Sequence, residues 1–375
     1  MIFDEKLKIP LSQRLDHLNW FLISLILAIS SVGFVMLYSA GGGHLKPWLI
    51  RQISFFAIFF PLMIFIAVTD ITTWFKYAYP AYFAALIMVI VVDIMGHSAM
   101  GATRWFKLGP ISIQPSEIMK VCTVFALARY FHNMEVENVK KIKYVIAPLL
   151  LIFVPAVFIF HQPDLGTATI LIMIGISVLF VAGVELWKFV AVGVVGLISI
   201  PFIWIFVLYD YQKQRILTFI NPHDDALGSG YNIIQSKIAI GSGGVFGKGI
   251  LQGTQGQLNF LPEKQTDFIF TMLSEELGFV GAVIVIICYC AIIVTGILVA
   301  LRCKHQYGRL LSVGIVNMLF IHMFINIGMV TGIIPVVGAP LPFVSYGGTI
   351  TATMLIGFGL LLNVDLYKNF EVKLR

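Results

Sequence analysis

Phe279-Val-Gly-Ala-Val-Ile-Val-Ile-Ile-Cys-Tyr-Cys-Ala-Ile-Ile-Val-Thr-Gly-Ile-Leu-Val-Ala300 runs without a single charged side chain. About 20 apolar residues wound as a helix cross a hydrocarbon layer of about 30 Å. Backbone in that layer must satisfy its own hydrogen bonds, so a helix is the required form. Working outward, similar runs recur along the chain. They predict spans at 19–39, 53–69, 77–95, 115–131, 145–160, 167–183, 187–208, 268–300, 308–331 and 344–364. The expected fold is an all-α integral membrane protein, a polytopic bundle of about ten transmembrane helices. The fourth span is interrupted by Glu117 and Lys120. The eighth is too long for one simple crossing, and its first part, 267–277, is expected at the membrane interface or dipping into a cavity.

Composition agrees. Of the 375 residues 59% are hydrophobic and 12% charged, against about 25% charged in soluble domains. Such a chain cannot cover itself with polar surface in water. The net charge of +6 does not indicate nucleic acid, because the basic residues are scattered between apolar runs. Cys122, Cys288, Cys290 and Cys303 have neither a disulfide framework nor metal-ligand spacing, and they read as small packing residues. The polar start, Met1 to Leu18, predicts no cleaved signal peptide.

Lys and Arg favour cytoplasmic loops. With both termini inside, the short outside loops hold only Lys46, Arg51, Arg104 and Lys107. The expected site is the cytoplasmic (inner) membrane, multi-pass, with any active site extracytoplasmic. One membrane domain, 1–375, then contains a large extracytoplasmic loop, 209–266, rich in Gly, Gln and Asn. A structureless loop of that length is unusual and often functional.

Several polar groups could carry chemistry. Asp267 sits where polar loop becomes apolar helix, with Thr271, Ser274 and Glu275 following on one helical face. It suits a helix cap and equally a general base. Glu117 and Lys120, spaced i, i+3, can pair. An intramembrane ionisable pair is either a structural tie or functional. Arg104 and Trp105 read as an interfacial cation and aromatic, or as a platform for a sugar phosphate. Asp164, in Gln162-Pro-Asp-Leu-Gly166, reads as a turn and cap or as a second carboxylate. Glu263 lies four residues before Asp267. Lys213, Arg215, Lys237 and Lys248 are candidate anion contacts. The run Gly241-Ser-Gly-Gly-Val-Phe-Gly-Lys-Gly249 fails the P-loop pattern, since Ser242 stands where Gly is needed and Gly249 where Ser or Thr is needed. It reads as a mobile loop able to offer backbone N–H groups to an anion. Ser345, in the bend Gly338-Ala-Pro-Leu-Pro-Phe-Val-Ser-Tyr-Gly-Gly348, is a further candidate substrate contact within a scaffold turn.

An outward-facing enzyme has no ATP, so its donor must arrive activated. A polyprenyl-pyrophosphoryl sugar fits. Its leaving group needs cations, and the acceptor hydroxyl needs one base. A hydrolase would want two carboxylates flanking the bond. One carboxylate with Arg and Lys nearby suits transfer better.

Seven motifs in order carry a resemblance: Arg104-Trp-Phe, Gln114-Pro-Ser-Glu-Ile-Met-Lys120, Gln162-Pro-Asp-Leu-Gly166, Gln235-Ser-Lys-Ile-Ala-Ile-Gly-Ser-Gly-Gly244, Leu261-Pro-Glu-Lys-Gln-Thr-Asp-Phe-Ile-Phe270, Ser274-Glu-Glu-Leu-Gly278 and Pro342-Phe-Val-Ser-Tyr-Gly-Gly348. Through them nearly the whole chain resembles the SEDS family (shape, elongation, division, sporulation) of peptidoglycan glycosyltransferases. The run Gly253-Thr-Gln-Gly-Gln-Leu-Asn-Phe-Leu-Pro262 is similar to its elongation branch, the RodA type. The resemblance implies polymerisation of lipid II into glycan strands, with release of undecaprenyl pyrophosphate. It implies as partners a class B penicillin-binding protein transpeptidase and other elongation-machinery membrane proteins. It places the essential carboxylate on Asp267, the intramembrane acid–base pair on Glu117 and Lys120, and a tryptophan near the cavity on Trp105. Gln265 departs from the family, where His is common. A Gln cannot accept a proton as base, which leaves Asp267 the better candidate. The sequence requires no cofactor, and no metal-ligand cluster has the right spacing. A divalent cation, Mg or Mn, could accompany the pyrophosphate. The alternatives are a lipid II flippase or a non-catalytic scaffold for the transpeptidase.

Overall fold

The computed structural model describes residues 10–95, 97–99, 102–108, 111–206, 208–221, 229–258 and 260–369. The basic terminal residues Lys6, Lys8, Lys373 and Arg375 lie outside them, as do the side chains of Arg104 and Lys107. Among the described residues every predicted span falls on a helix. After a short α1 (Leu11–Asp16) come α2 (Trp20–Ala40), α3 (Trp48–Val68), α4 (Ile71–Met95), α5 (Pro115–Phe131), α6 (Val136–Val139), α7 (Lys143–His161), α8 (Leu165–Val181) and α9 (Leu186–Phe206). The long loop follows, and then α13 (Ile269–Arg302), α14 (Gln306–Thr331) and α15 (Gly348–Tyr367). Eight of these helices are long and apolar enough to cross a membrane. The shorter α8 is equally apolar, and α5 carries Glu117, Lys120 and Arg129. The protein is membrane-embedded.

The bundle has a polar-studded centre and a greasy rim. Helices α5, α14 and α15 are buried along most of their length. Helix α15 packs on α3, α14 on α13, α5 and α8, and α4 on α5. Helix α9 has no buried residue, so its apolar side chains face outward all round. Five helix-interior prolines, Pro61, Pro80, Pro148, Pro155 and Pro201, interrupt helical bonding, which neighbouring helices tolerate in lipid.

Two connections carry secondary structure of their own. The first is the link between the third and fourth spans. It carries an antiparallel sheet of β1 (His97–Ala99), β2 (Ala102–Leu108) and β3 (Ile111–Ile113), in the order β1-β2-β3. Thr103, Trp105 and Phe106 in β2 and Ile111 and Ile113 in β3 are the β-branched and aromatic residue types that suit strands. The second, the loop 209–266, is not structureless. It contains α10 (Asp210–Ile220), α11 (Ser229–Ser242) and α12 (Thr254–Gln257). Helix α11 packs on α13 and α14 through a face of Ile233, Ser236 and Ala239, all buried. That face is small and partly polar, which hides its periodicity.

The long α13 is two pieces. Gly278 breaks it at φ 69°, a backbone state that suits glycine. In a continuous helix the amides of Phe279 and Val280 would turn back to Glu275 and Glu276. Instead they donate to Gly244 O (2.9 Å) and Val245 O (3.0 Å). The carbonyls of Glu275 and Glu276 accept from Lys248 N and Gly249 N, both at 3.0 Å. The glycine-rich run is therefore no mobile loop. It is the strip that re-satisfies a broken helix, the condition under which lipid tolerates such a break. The first piece lies inside the protein rather than at the interface, since Ile269 through Glu276 are all buried. A Cβ on Gly247, which sits at φ +81°, would fall 2.1 Å from Glu276 O. Gly247→Ala is expected to cost on the order of 1–3 kcal/mol in backbone strain alone, and more through the clash. Thermal unfolding of the purified protein checks this, and an unchanged midpoint would contradict the packing.

Candidate functional site

The loop ending at Asp267 is held from three sides. Within it, Glu263 adopts a positive φ of 53° and its carbonyl accepts from Thr266 N (3.0 Å) and Phe268 N (3.3 Å). Its carboxylate accepts from Gln265 Nε2 and Thr266 Oγ1, both at 3.1 Å. Glu263 thus shapes the turn that presents Asp267. The N-cap of α13 is Phe268, one residue later than the cap expected at Asp267.

The second support is the bend between α14 and α15. Tyr346 N donates to Gln265 O (2.8 Å). Ser345 Oγ donates to Thr266 O (2.6 Å) and accepts from Leu341 N (2.7 Å). Ser345 is fully buried, so it is a latch between two loops and does not reach a substrate. Gln52, on α3, completes the clasp: its Nε2 donates to Thr351 Oγ1 (2.7 Å) and its Oε1 accepts from Gly347 N (3.1 Å). Ser345→Ala leaves a buried N–H and a buried carbonyl short of a partner, which costs about 1–3 kcal/mol. The variant is expected to fold, to melt earlier, and to lose turnover more than apparent substrate affinity. An unchanged turnover number would remove Ser345 from the clasp.

The third support is α14. Asn326 Nδ2 donates to Asp267 O (2.9 Å) and to Ala339 O (2.7 Å), fixing the Asp267 backbone against the bend. A Cβ on Gly338 would come 3.3 Å from Asp267 Oδ2, so the carboxylate rests over that glycine. Asp267 itself is partly exposed.

A cleft of about 220 Å³ is lined by Asp164, Gln212, Arg215 and the segment Pro335–Val337. Val337 walls the cleft, and the next residue, Gly338, underlies Asp267. Asp164 is buried. It is the N-cap of α8, accepting from Thr167 N (3.2 Å), and it also accepts from Gln114 Nε2 (3.3 Å). The cap reading of Asp164 holds, yet the residue also faces the cleft.

One helical turn along α14 from Asn326 lies His322. Lys120 Nζ sits 2.7 Å from Glu117 Oε1 and 2.7 Å from His322 Nε2. With the ammonium as donor, His322 Nε2 accepts and the single ring proton of the neutral imidazole sits on Nδ1. Lys120 is fully buried. His322 and Asn326 escaped the sequence reading, although two polar residues at i, i+4 in a largely apolar span were a visible signal.

The remaining candidates lie elsewhere. Lys248 Nζ is 2.7 Å from the buried Glu275 carboxylate and 2.8 Å from Thr254 Oγ1, so its charge faces inward. Lys237 lies over Gly332, the left-handed C-cap of α14, where a cation favours the helix dipole. Lys213 lies 3.9 Å from Asp210 on α10. Trp105 is half-buried on β2. Lys264 donates to Gly256 O (2.7 Å), and burial pulls its ammonium below its ordinary range, with Glu276 opposing. Thr271 and Ser274, the polar face after Asp267, meet protein rather than water: Thr271 Oγ1 lies 2.6 Å from Ser236 Oγ on α11.

Comparison with known proteins places this geometry. The FtsW/RodA/SpoVE family model, described as cell cycle protein, matches residues 15–370. The peptidoglycan glycosyltransferase MrdB of Escherichia coli (strain K12) is 40% identical over 358 residues, covering 95% of this chain and 96% of that one. Among solved structures, a chain described under structural coordination of polymerization and crosslinking by a peptidoglycan synthase complex superposes with a TM-score of 0.82 at 31% identity, covering 94% and 99% of the two chains. The rod shape determining protein RodA of Thermus thermophilus superposes with a TM-score of 0.71 at 28% identity, covering 94% and 98%.

Proposed function

The chain belongs to the FtsW/RodA/SpoVE family, and we propose from that premise that it is a peptidoglycan glycosyltransferase of the elongation type, joining lipid II disaccharide units into glycan strands. The observation that carries the mechanism is one partly exposed carboxylate, Asp267, clasped from three sides and resting over Gly338, the residue that follows Val337 of the cleft that holds Arg215.

Asp267 takes the proton from the 4-hydroxyl of the acceptor's N-acetylglucosamine. The oxygen attacks C1 of the donor's N-acetylmuramic acid. The C1–O bond to pyrophosphate breaks, its electron pair leaves with undecaprenyl pyrophosphate, and C1 inverts. Arg215 lines the cleft and would meet the departing charge, whereas Lys213, two residues earlier on α10, sits on the opposite side of that helix. Arg104 and Trp105 remain candidates for the sugar phosphate. Among the described residues no three His, Cys, Asp or Glu side chains gather to hold a metal ion. A divalent cation, Mg or Mn, arriving with the donor would add positive charge at the departing pyrophosphate.

The Lys and Arg distribution supports a site on the outer face of the cytoplasmic membrane with both termini inside. The partners we propose are lipid II and the growing strand, surrounding membrane lipid, a class B penicillin-binding protein transpeptidase and other elongation-machinery membrane proteins, with no nucleic acid. The test is polymerisation of labelled lipid II by the purified protein co-expressed with its transpeptidase partner, cross-linking blocked by a β-lactam. Polymer supports the reading. Labelled lipid moved across vesicles without polymer would replace it with a flippase, and neither activity in an intact complex would leave a scaffold.

A further inference from the structure

The ion pair between Lys248 and Glu275 joins two features that the proposed reaction does not itself explain: the glycine strip 243–249 and the half-helix that begins just after Asp267. Glu275 is wholly buried while Lys248 keeps 27% of its side chain exposed. The Glu275 carboxylate also accepts from Thr254 Oγ1 (3.0 Å), Gln255 N (3.1 Å) and Gly256 N (3.4 Å). One carboxylate thus gathers the strip, through Lys248, and the start of α12. On the next residue, Glu276 Oε1 accepts from Ser39 Oγ on α2 (2.6 Å). The far end of the half-helix is thereby pinned to the strip and to α2, while its near end is pinned at Asp267 by Asn326 and the Ser345 clasp.

We infer that Lys248 and Glu275 are a positioning pair that clamps the break at Gly278 and so sets the height of Asp267 over Gly338. The inference rests on the proposed transferase reading. It takes Lys248 out of the pyrophosphate contacts, because its ammonium is already directed at a buried carboxylate. The half-helix spans only Ile269 to Leu277, about 13 Å at 1.5 Å per residue. Releasing one end of so short a lever moves the other. A displacement of the base by about 1 Å is enough to lower turnover on the order of 100-fold, with little effect on groups that only hold substrate.

The test uses the full chain with its transpeptidase partner. Lys248→Met keeps the stem and removes the charge. Three other donors still solvate Glu275, so the variant is expected to fold. Lys248→Arg restores the cation. The expected result is a kcat lowered at least about 10-fold in Lys248→Met with KM for lipid II within about twofold, and recovery in Lys248→Arg. A raised KM with kcat kept would assign Lys248 to the substrate and overturn the clamp, as would unaltered kinetics. Hydrogen exchange at the amides of Lys248, Gly249, Phe279 and Val280 is the second readout. Faster exchange in Lys248→Met supports the clamp, and unchanged exchange overturns it. That readout decides even if wild-type protein makes no polymer, an outcome that would count against the transferase reading alone.

Discussion

Asp267→Asn is expected to abolish glycan polymer while leaving the protein folded and bound to its transpeptidase. Asn occupies nearly the same volume, and the supports that hold this position act largely on the main chain: Asn326 on Asp267 O, and Ser345 on Thr266 O. What the substitution removes is the ability to take a proton. General-base assistance contributes about 10²–10⁴-fold, so residual polymer should fall below that of wild type by a factor in that range. Two companions sharpen the result. Glu263→Gln keeps an oxygen that can accept from Thr266 and so retains the turn, and it should keep most activity. Asp164→Asn keeps a cap acceptor for Thr167 N but changes the charge of the cleft, and it should weaken donor binding before turnover. Quantified polymer from labelled lipid II separates the three. Wild-type polymer from Asp267→Asn would move the base to Glu263 or Asp164.

Most of the bundle was legible because lipid imposes one rule on every spanning segment: apolar side chains outside and helical bonds inside. Predicted boundaries such as 115–131 and 167–183 fall within two residues of α5 and α8. The parts that escaped are those where that rule is relaxed. Helix α11 is buried against protein through Ser236 and Ala239, so it lacks the large apolar stripe that marks a helix in sequence. The glycine strip looked mobile because glycine signals freedom. Here the strip is fixed by close approach to the carbonyls of Ser274 and Glu276, which no neighbour in sequence reveals. Asp267 stood out at a polar-to-apolar boundary, a place that suits a cap as well as a base, and its part as base was what the family resemblance implied. Its supports, Gln52, Asn326, Gly338 and Ser345, come from two helices and a bend far apart in the chain, and only the fold brings them together. The pairing of Lys248 with Glu275 was hidden for the same reason, so a basic residue near an anionic substrate looked like a ligand for it.

The spacing of Glu117 and Lys120 foretold their contact, and the third member, His322, changes what the contact demands. Lys120→Met is expected to be the most destabilising substitution in the bundle. Lys120 is the cation between Glu117 Oε1 and His322, both residues buried, and Glu117 Oε2 has no hydrogen-bond partner among the described residues. Removing the ammonium strands a carboxylate in a dry interior, a loss of about 3–5 kcal/mol. The variant should accumulate poorly and unfold well below wild type in a thermal scan of detergent-solubilised protein. Glu117→Gln/Lys120→Met removes both charges together, and it should recover much of the loss, because the cost lies in the unpaired charge rather than in the missing attraction. A Lys120→Met protein as stable as wild type would show that the ion pair does not hold α5 in place. The double variant then separates two roles for the pair. If the three groups only brace α5 against α14, a refolded neutral pair keeps His322 and Asn326 in register, and Asp267 continues to polymerise. If Lys120 exchanges protons during the reaction, the double variant is stable and silent, and its loss should appear in kcat with KM for lipid II unchanged.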